Sequence, residues 1–118
     1  MNDKSPFNHR TIAEFMGINT WQHTPESVTV MAMVNGASGS IIDICPYHKD
    51  FNLIIEVAKK IENLGYHVSF SSRQAQVCDK NWNLIIDADF CDTFEENAYS
   101  CLVSFIEWHN KKQLDEKV

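Results

Sequence analysis

The sequence predicts an α/β (α+β) domain, and three observations support this prediction. The 118 residues fit one domain, apolar residues recur at helical spacing in several stretches, and short β-branched runs end at turn residues. We expect a single domain over residues 8–112, with flexible tails at 1–7 and 113–118. The element order α-β-β-α-β-β-(β)-α favours a three-layer α/β/α sandwich around a mixed or mostly antiparallel sheet. The alternative is a two-layer sandwich with all helices on one side.

The first element is predicted to be a short helix. Asn8 is a suitable N-cap for residues 9–16, where apolar side chains recur at helical spacing before Gly17. Glycine suits the left-handed conformation that ends many helices. Residues 19–26 contain a proline and are typical of a connecting loop. Trp21 is therefore expected either as a lid over the edge of the core or as an exposed binding aromatic.

Two strands are predicted next. SVTVMAMV (27–34) alternates β-branched and flexible apolar side chains, and NGASGS (35–40) supplies turn residues. IIDIC (41–45) then has the composition of a returning strand that ends before Pro46. Both faces of the 27–34 strand are apolar, which is typical of a strand that is covered on both sides. This pattern is the reason for placing helices on both faces of the sheet.

The second half of the chain is predicted to hold two longer helices and three strands. Asp50 is a good N-cap for an amphipathic helix that ends at Gly65. The strands are predicted at 66–71, 74–79 and 82–87. Thr93 and Glu96 have the spacing of a capping box at the start of the last helix. The charged end of this helix is expected to fray.

Three stretches, taken together, resemble a known group of proteins: IAEFMG (12–17), YHKDFNLIIEVAKKIENLGY (47–66) and AYSCLVSFIEWHNK (98–111). They are similar to motifs of small phage- and prophage-associated proteins described as a phage α/β/α (ABA) sandwich domain. The resemblance covers most of residues 8–112, although the middle strands match only in pattern. It implies an α/β/α fold and a phage accessory role, and it carries no catalytic residue because the family has no assigned activity. The longer first hairpin of this chain leaves the edge order of the sheet open.

The charge and the cysteine content argue against several classes of function. The net charge is −6 and the basic residues are scattered, which disfavours a general nucleic-acid binder because such proteins need clustered Lys and Arg. An acidic surface that mimics nucleic acid is a lesser alternative. Four cysteines without a C-x-x-C pair are typical of free thiols in a reducing cytoplasm. No apolar run is long enough to cross a bilayer.

Two groups of polar side chains are weak candidates for a metal site. Cys45 and His48 have C-x-x-H spacing, but a zinc site needs about four ligands, and the other cysteines and histidines stand alone in the sequence. A later acidic segment holds Asp87, Asp89 and Asp92, whose carboxylates suit a hard cation. Its spacing matches no EF-hand loop, and acids at the start of a helix complement the helix dipole. We therefore expect no metal ion and no other cofactor.

No motif for catalysis is present in the sequence. NGASGS lacks the lysine of a phosphate-binding loop and precedes a predicted strand rather than a helix. No G-x-S-x-G turn marks a serine nucleophile. We therefore predict no catalytic residue, which favours a non-enzymatic protein over an enzyme.

Aromatic side chains point instead to contact with a partner. The candidate contact residues are Trp21, Tyr47 and Trp108, and Trp108 is the strongest because it falls off the apolar stripe of the last helix. The leading hypothesis is an accessory protein that acts through contacts with itself or with a partner protein, without a membrane. The alternative is a small-molecule, nucleotide or metal-binding domain that uses loop 45–50 and the acidic segment 87–92.

Overall fold

The chain forms a mixed α+β fold whose strands divide into two small antiparallel sheets. A computed structural model describes residues 5–71, 74–88 and 93–116. In chain order the described elements are α1 (Ser5–Phe15), β1 (Asn19–Trp21), β2 (Met31–Val34), β3 (Ala37–Ser40), α2 (Ile41–Ile44), α3 (Phe51–Asn63), β4 (His67–Phe70), β5 (Ala75–Cys78), β6 (Leu84–Ala88) and α4 (Phe94–Glu116). The sheets have the orders β1-β2-β3 and β4-β5-β6. The mixed α and β class is confirmed, whereas a three-layer order is not.

The first sheet is shorter and more exposed than its sequence suggests. Its edge strand β1 lies in the segment that was expected to be a loop, and Trp21 pairs with Met31 across the ladder. One face of β2 is better covered than the other, because Ala32 is buried while Met33, on the opposite face, is 44% exposed. Val28 precedes the strand and is 74% exposed. The expectation that both faces of this strand are covered is therefore wrong.

Residues 41–45 do not form the predicted returning strand. The strand that returns is β3, and the chain then turns directly into the short helix α2. The N–H of Ile41 donates to the carbonyl of Val30, and the N–H of Cys45 donates to the carbonyl of Ile41. The side chain of Ile41 is fully buried. A run of apolar residues fits either a strand or a buried helix, and here the tertiary position of Ile41 decides for the helix.

Of the four predicted ends of the amphipathic helices α1 and α3, three have the predicted residue, and the first end of α1 does not. The carboxylate of Asp50 accepts a hydrogen bond from the N–H of Asn52 at 3.0 Å, which confirms the predicted cap. Gly17 and Gly65 both adopt positive φ, at 79° and 103°, as expected for residues that end helices. Helix α1 begins at Ser5, so Asn8 lies inside the helix and is not its cap.

The last helix, α4, packs against two other helices and the second sheet. Thr93 precedes its first residue, and the Thr93 hydroxyl accepts a hydrogen bond from the N–H of Glu96 at 3.1 Å. The helix continues as far as Glu116. It contacts α1, α3 and all three strands of the second sheet. Phe105 lies on the inner face of α4, and its side chain is completely buried. As a result, the second half of α4 lies beside the end of α3 and the turn between β5 and β6.

Candidate functional site

A groove opens where the end of α3, the β5–β6 turn and the second half of α4 meet. Its volume is about 340 Å³, which is within the range of ordinary ligand sites. Its lining includes Leu64, Tyr66, Lys80, Ile85, Trp108 and Lys112. The groove thus combines aliphatic, aromatic and cationic side chains from three separate parts of the fold.

Aromatic packing fixes the wall of the groove. The rings of Tyr66 and Trp108 are perpendicular, with centroids 6.1 Å apart. Beneath them the buried ring of Phe105 lies 4.9 Å from Tyr66 and 5.8 Å from Trp108. Aromatic pairs prefer such tilted and edge-to-face arrangements. The rings of the wall are therefore held from the core side, and their outer edges border the groove.

The turn between β5 and β6 is organised by one carboxylate. Asp79 accepts hydrogen bonds from the N–H of Asn81 at 2.8 Å and from the N–H of Asn83 at 2.9 Å. The side-chain amide of Asn83 donates a third at 3.1 Å. These hydrogen bonds, chiefly that of the Asn83 N–H, lower the pKa of Asp79. The turn therefore keeps its shape at neutral pH, when the carboxylate is ionised.

Two lysines give the groove a local positive charge. The ammonium of Lys112 lies 5.3 Å from the centroid of the Trp108 ring, close enough for a cation–π interaction. Lys80 also lines the groove, from the β5–β6 turn. Within the described part of the chain the one salt bridge joins Arg10 to Glu14. Neither groove lysine therefore has a carboxylate partner at salt-bridge distance among those residues.

Trp82 projects from the same turn into solvent. It is 68% exposed and has a φ of 67°, a conformation that is uncommon for a large side chain. Its ring stacks flat on that of His67, with centroids 3.7 Å apart. A strained, exposed and yet fixed tryptophan is a feature of functional surfaces. We define the tryptophan surface as the groove, whose lining includes Leu64 and Trp108, together with the exposed Trp82 of the same turn.

A second group of polar side chains lies where the first turns of α4 meet α1 and loop 45–50. His9 of α1 is fully buried, and its Nε2 lies 3.1 Å from Nδ1 of His48. The hydroxyl of Tyr99 in α4 lies 2.8 Å from Nδ1 of the same His9 ring. The chain Tyr99–His9–His48 therefore links α1, α4 and loop 45–50 by hydrogen bonds.

The hydrogen bonds among Tyr99, His9 and His48 limit how many protons the two imidazole rings can carry. A bond between two imidazoles needs one N–H and one lone pair, so a proton on every ring nitrogen would set N–H against N–H. Burial lowers the pKa of His48, and the charge of Lys49 lowers it further, whereas the charge of Asp43 acts in the opposite direction. The folded protein therefore favours neutral His48.

Stability is expected to fall as the pH is lowered through the ordinary titration range of histidine. The unfolded chain, in which the pKa of His48 is near 6.5, takes up a proton that the folded chain resists, so acid favours unfolding until the pH passes the lower folded pKa. Urea unfolding across this range checks the slope, which should be weaker in His48→Asn. The exposed His23→Asn is the matched control, and an unchanged slope in His48→Asn would contradict the prediction.

The buried cysteines are poorly suited to nucleophilic chemistry. Burial has the larger effect on the pKa of the Cys45 thiol and raises it, although the side chain of Tyr47 lowers it. Burial, together with the charge of Asp87, raises the pKa of Cys101 to about 12. Since the thiolate is the reactive form, both cysteines act as packing groups at neutral pH.

The predicted metal candidates are not brought together among the described residues. The side chain of Cys45 interacts with that of Tyr47, whereas His48 is within hydrogen-bond distance of His9. Asp87 is exposed on β6 and accepts a hydrogen bond from Gln74 at 3.1 Å, while Asp89 and Asp92 lie outside the described residues. No group of three or more His, Cys, Asp or Glu side chains in the described ranges has a geometry that suits a metal ion.

The three predicted contact aromatics occupy different environments. Trp108 lines the groove, as a contact residue would. Trp21 is half-buried in the edge strand β1. Tyr47 is only 5% exposed, which leaves little of its ring for a partner.

Trp82 and the two groove lysines are not among the contact residues predicted from the sequence. A tryptophan followed by asparagine in a turn carries no signal of its exposure, because the exposure depends on how the neighbouring strands pair. The two lysines are 32 positions apart, and only the packing of α4 against the β5–β6 turn brings them to one groove.

Comparisons of the chain with family models, with curated proteins and with solved structures give no match. Among the described residues, no helix combines the length and the apolar character that a membrane span requires.

Proposed function

We propose that this protein is a non-enzymatic binding module that acts through contacts with a partner protein at the tryptophan surface. Two tryptophans carry the proposal: Trp108, which lines the groove and packs on Tyr66 and Phe105, and the exposed Trp82 of the β5–β6 turn, whose neighbours Lys80 and Asn81 line the same groove. Tryptophan is among the residues that contribute most to binding at protein interfaces. A side chain that is already fixed by stacking loses little entropy when a partner binds.

The chemistry elsewhere in the molecule supports binding rather than catalysis. The histidine pair is engaged in hydrogen bonds between elements of the core, and the thiols of Cys45 and Cys101 have raised pKa values. A phage accessory role and a cytoplasmic location are part of the same proposal. The free thiols of Cys45, Cys78 and Cys101 are consistent with the reducing cytoplasm expected from the sequence.

Loss of either tryptophan is expected to weaken binding. The test selects binders for the wild-type protein from a display library of short random peptides and measures their affinity by fluorescence anisotropy. Trp108→Ala should lower the affinity by about thirtyfold and Trp82→Ala by about tenfold, as expected for residues at the centre and edge of a contact. Circular dichroism checks that both variants are folded under the assay conditions.

The control is Val28→Ser, which removes an exposed apolar side chain outside the groove. It should leave the affinity unchanged. A selection that yields no binder, or binders that are indifferent to both tryptophan variants, would contradict the proposed function. Light scattering on the free protein shows whether a second copy of the chain occupies the surface instead, which would also contradict contact with a different protein.

A further inference from the structure

We propose that the groove binds an acidic and apolar segment of a partner protein. A carboxylate of this segment lies between Lys80 and Lys112, and a neighbouring aliphatic or aromatic side chain lies against Tyr66 and Trp108. This inference rests on the proposed function and names the chemistry of the partner.

The charges that line the groove favour a carboxylate. Lys80 lines the groove from the β5–β6 turn and Lys112 lines it from α4, and no carboxylate of the described residues lies at salt-bridge distance from either. Asp79 is the one acid among the described lining residues, and its oxygens accept three hydrogen bonds from the turn. Besides these hydrogen bonds, the charge of Lys80 contributes to the lowered pKa of Asp79, so the two lysines and this one acid leave the described lining with an excess of one positive charge, which an entering carboxylate would neutralise.

The apolar part of the groove favours a peptide over a simple anion. Inorganic phosphate would use only the two ammonium groups and would leave the wall of Tyr66 and Trp108 in water. Leu64, at the rim, is 47% exposed, and its burial by an apolar side chain would add a hydrophobic contribution. Lys112 already lies over the Trp108 ring, so its ammonium is held near the place where an apolar side chain and a carboxylate would meet.

The overall charge disfavours a long polyanion. The chain carries a net charge of −6, which repels nucleic acids and other extended polyanions. A second depression next to the groove is lined by Lys111 but also by Asp115 and Glu116. These acids limit the positive region toward the end of α4, so the groove accepts one or two carboxylates rather than a row of them.

The peptides selected in the display experiment test this chemistry directly. The expected binders carry Asp or Glu next to Leu, Phe or Trp, and added salt should weaken them. The most enriched peptide is then synthesised, and its affinity is measured for wild type and for the double variant Lys80→Gln/Lys112→Gln. The double variant should bind about three- to tenfold more weakly, as expected for exposed charge pairs.

The matched control is Lys59→Gln, which removes an exposed lysine of α3 that does not line the groove. It should bind the peptide as wild type does. Basic or uncharged binders, or an affinity that the double variant leaves intact while Trp108→Ala abolishes it, would overturn this inference but not the proposed function. Absence of any tryptophan-dependent binder would overturn both.

Discussion

Replacement of His9 with alanine is expected to lower the free energy of unfolding by about 2–4 kcal/mol. His9 is fully buried, so the substitution opens a cavity in the core. It also removes the hydrogen bonds to His48 and Tyr99. The nitrogen of His48 then loses the partner that it has in the folded protein, and that loss adds a desolvation cost to the cost of the cavity.

Smaller substitutions separate the two contributions. Tyr99→Phe keeps the ring and removes the hydroxyl, so it should cost about 1 kcal/mol. Urea unfolding followed by circular dichroism gives the change for each variant, and the exposed His23→Ala should stay within about 0.5 kcal/mol of wild type. If His9→Ala unfolds at the urea concentration of wild type, the hydrogen-bonded chain contributes nothing to stability. If His9→Ala does not fold, Tyr99→Phe still measures the hydrogen bond.

The affinity of the folded protein for a peptide is not expected to depend on His9. The Tyr99–His9–His48 chain joins α4 to α1 and loop 45–50, whereas the tryptophan surface lies at the second half of the same helix. His9→Ala should therefore lower stability without changing the affinity for a peptide under conditions in which the variant is folded. This separation distinguishes a structural role of the histidines from a role in the contact itself.

Local chemistry in the sequence is sufficient to predict the amphipathic helix α3 and its ends. Asp50 has the side chain that caps a helix, and Gly65 has the freedom to adopt the positive φ that ends it. The hairpin strands β4, β5 and β6 are likewise predicted within a few residues. In each case the residues that determine the structure lie within a few positions of it.

The features that the sequence did not predict depend on contacts between distant residues. Residues 41–45 have an apolar pattern that fits a strand as well as a helix, and the hydrogen bond from Ile41 to Val30 fixes the outcome. His9 and Tyr99 are 90 positions apart, so no spacing in the sequence joins them. The same holds for the groove, because its two walls meet only after α4 has packed on the second sheet.

Replacement of Phe105 with alanine is expected to have the largest effect on the free energy of unfolding, about 3–5 kcal/mol. The ring is completely buried and contacts Tyr66, Trp108 and His109. Its loss leaves a cavity directly under the wall of the groove. Because the wall rings are held from this side, Trp108 should also lose its fixed position, and the near-ultraviolet circular dichroism of the aromatic residues should weaken.

Phe105→Ala should therefore lower both the free energy of unfolding and the affinity for the peptide, whereas His9→Ala should lower only the free energy of unfolding. The affinity for the selected peptide should fall even where the variant remains folded, because the partner would then have to order Trp108 as it binds. Phe105→Leu keeps most of the volume and should cost no more than about 1.5 kcal/mol, which provides a folded variant if the alanine protein does not fold. Leu114→Ala on the exposed side of the same helix is the control, with a change within about 0.5 kcal/mol. A folded Phe105→Ala protein that binds the peptide as wild type does would show that the wall of the groove does not need support from the core.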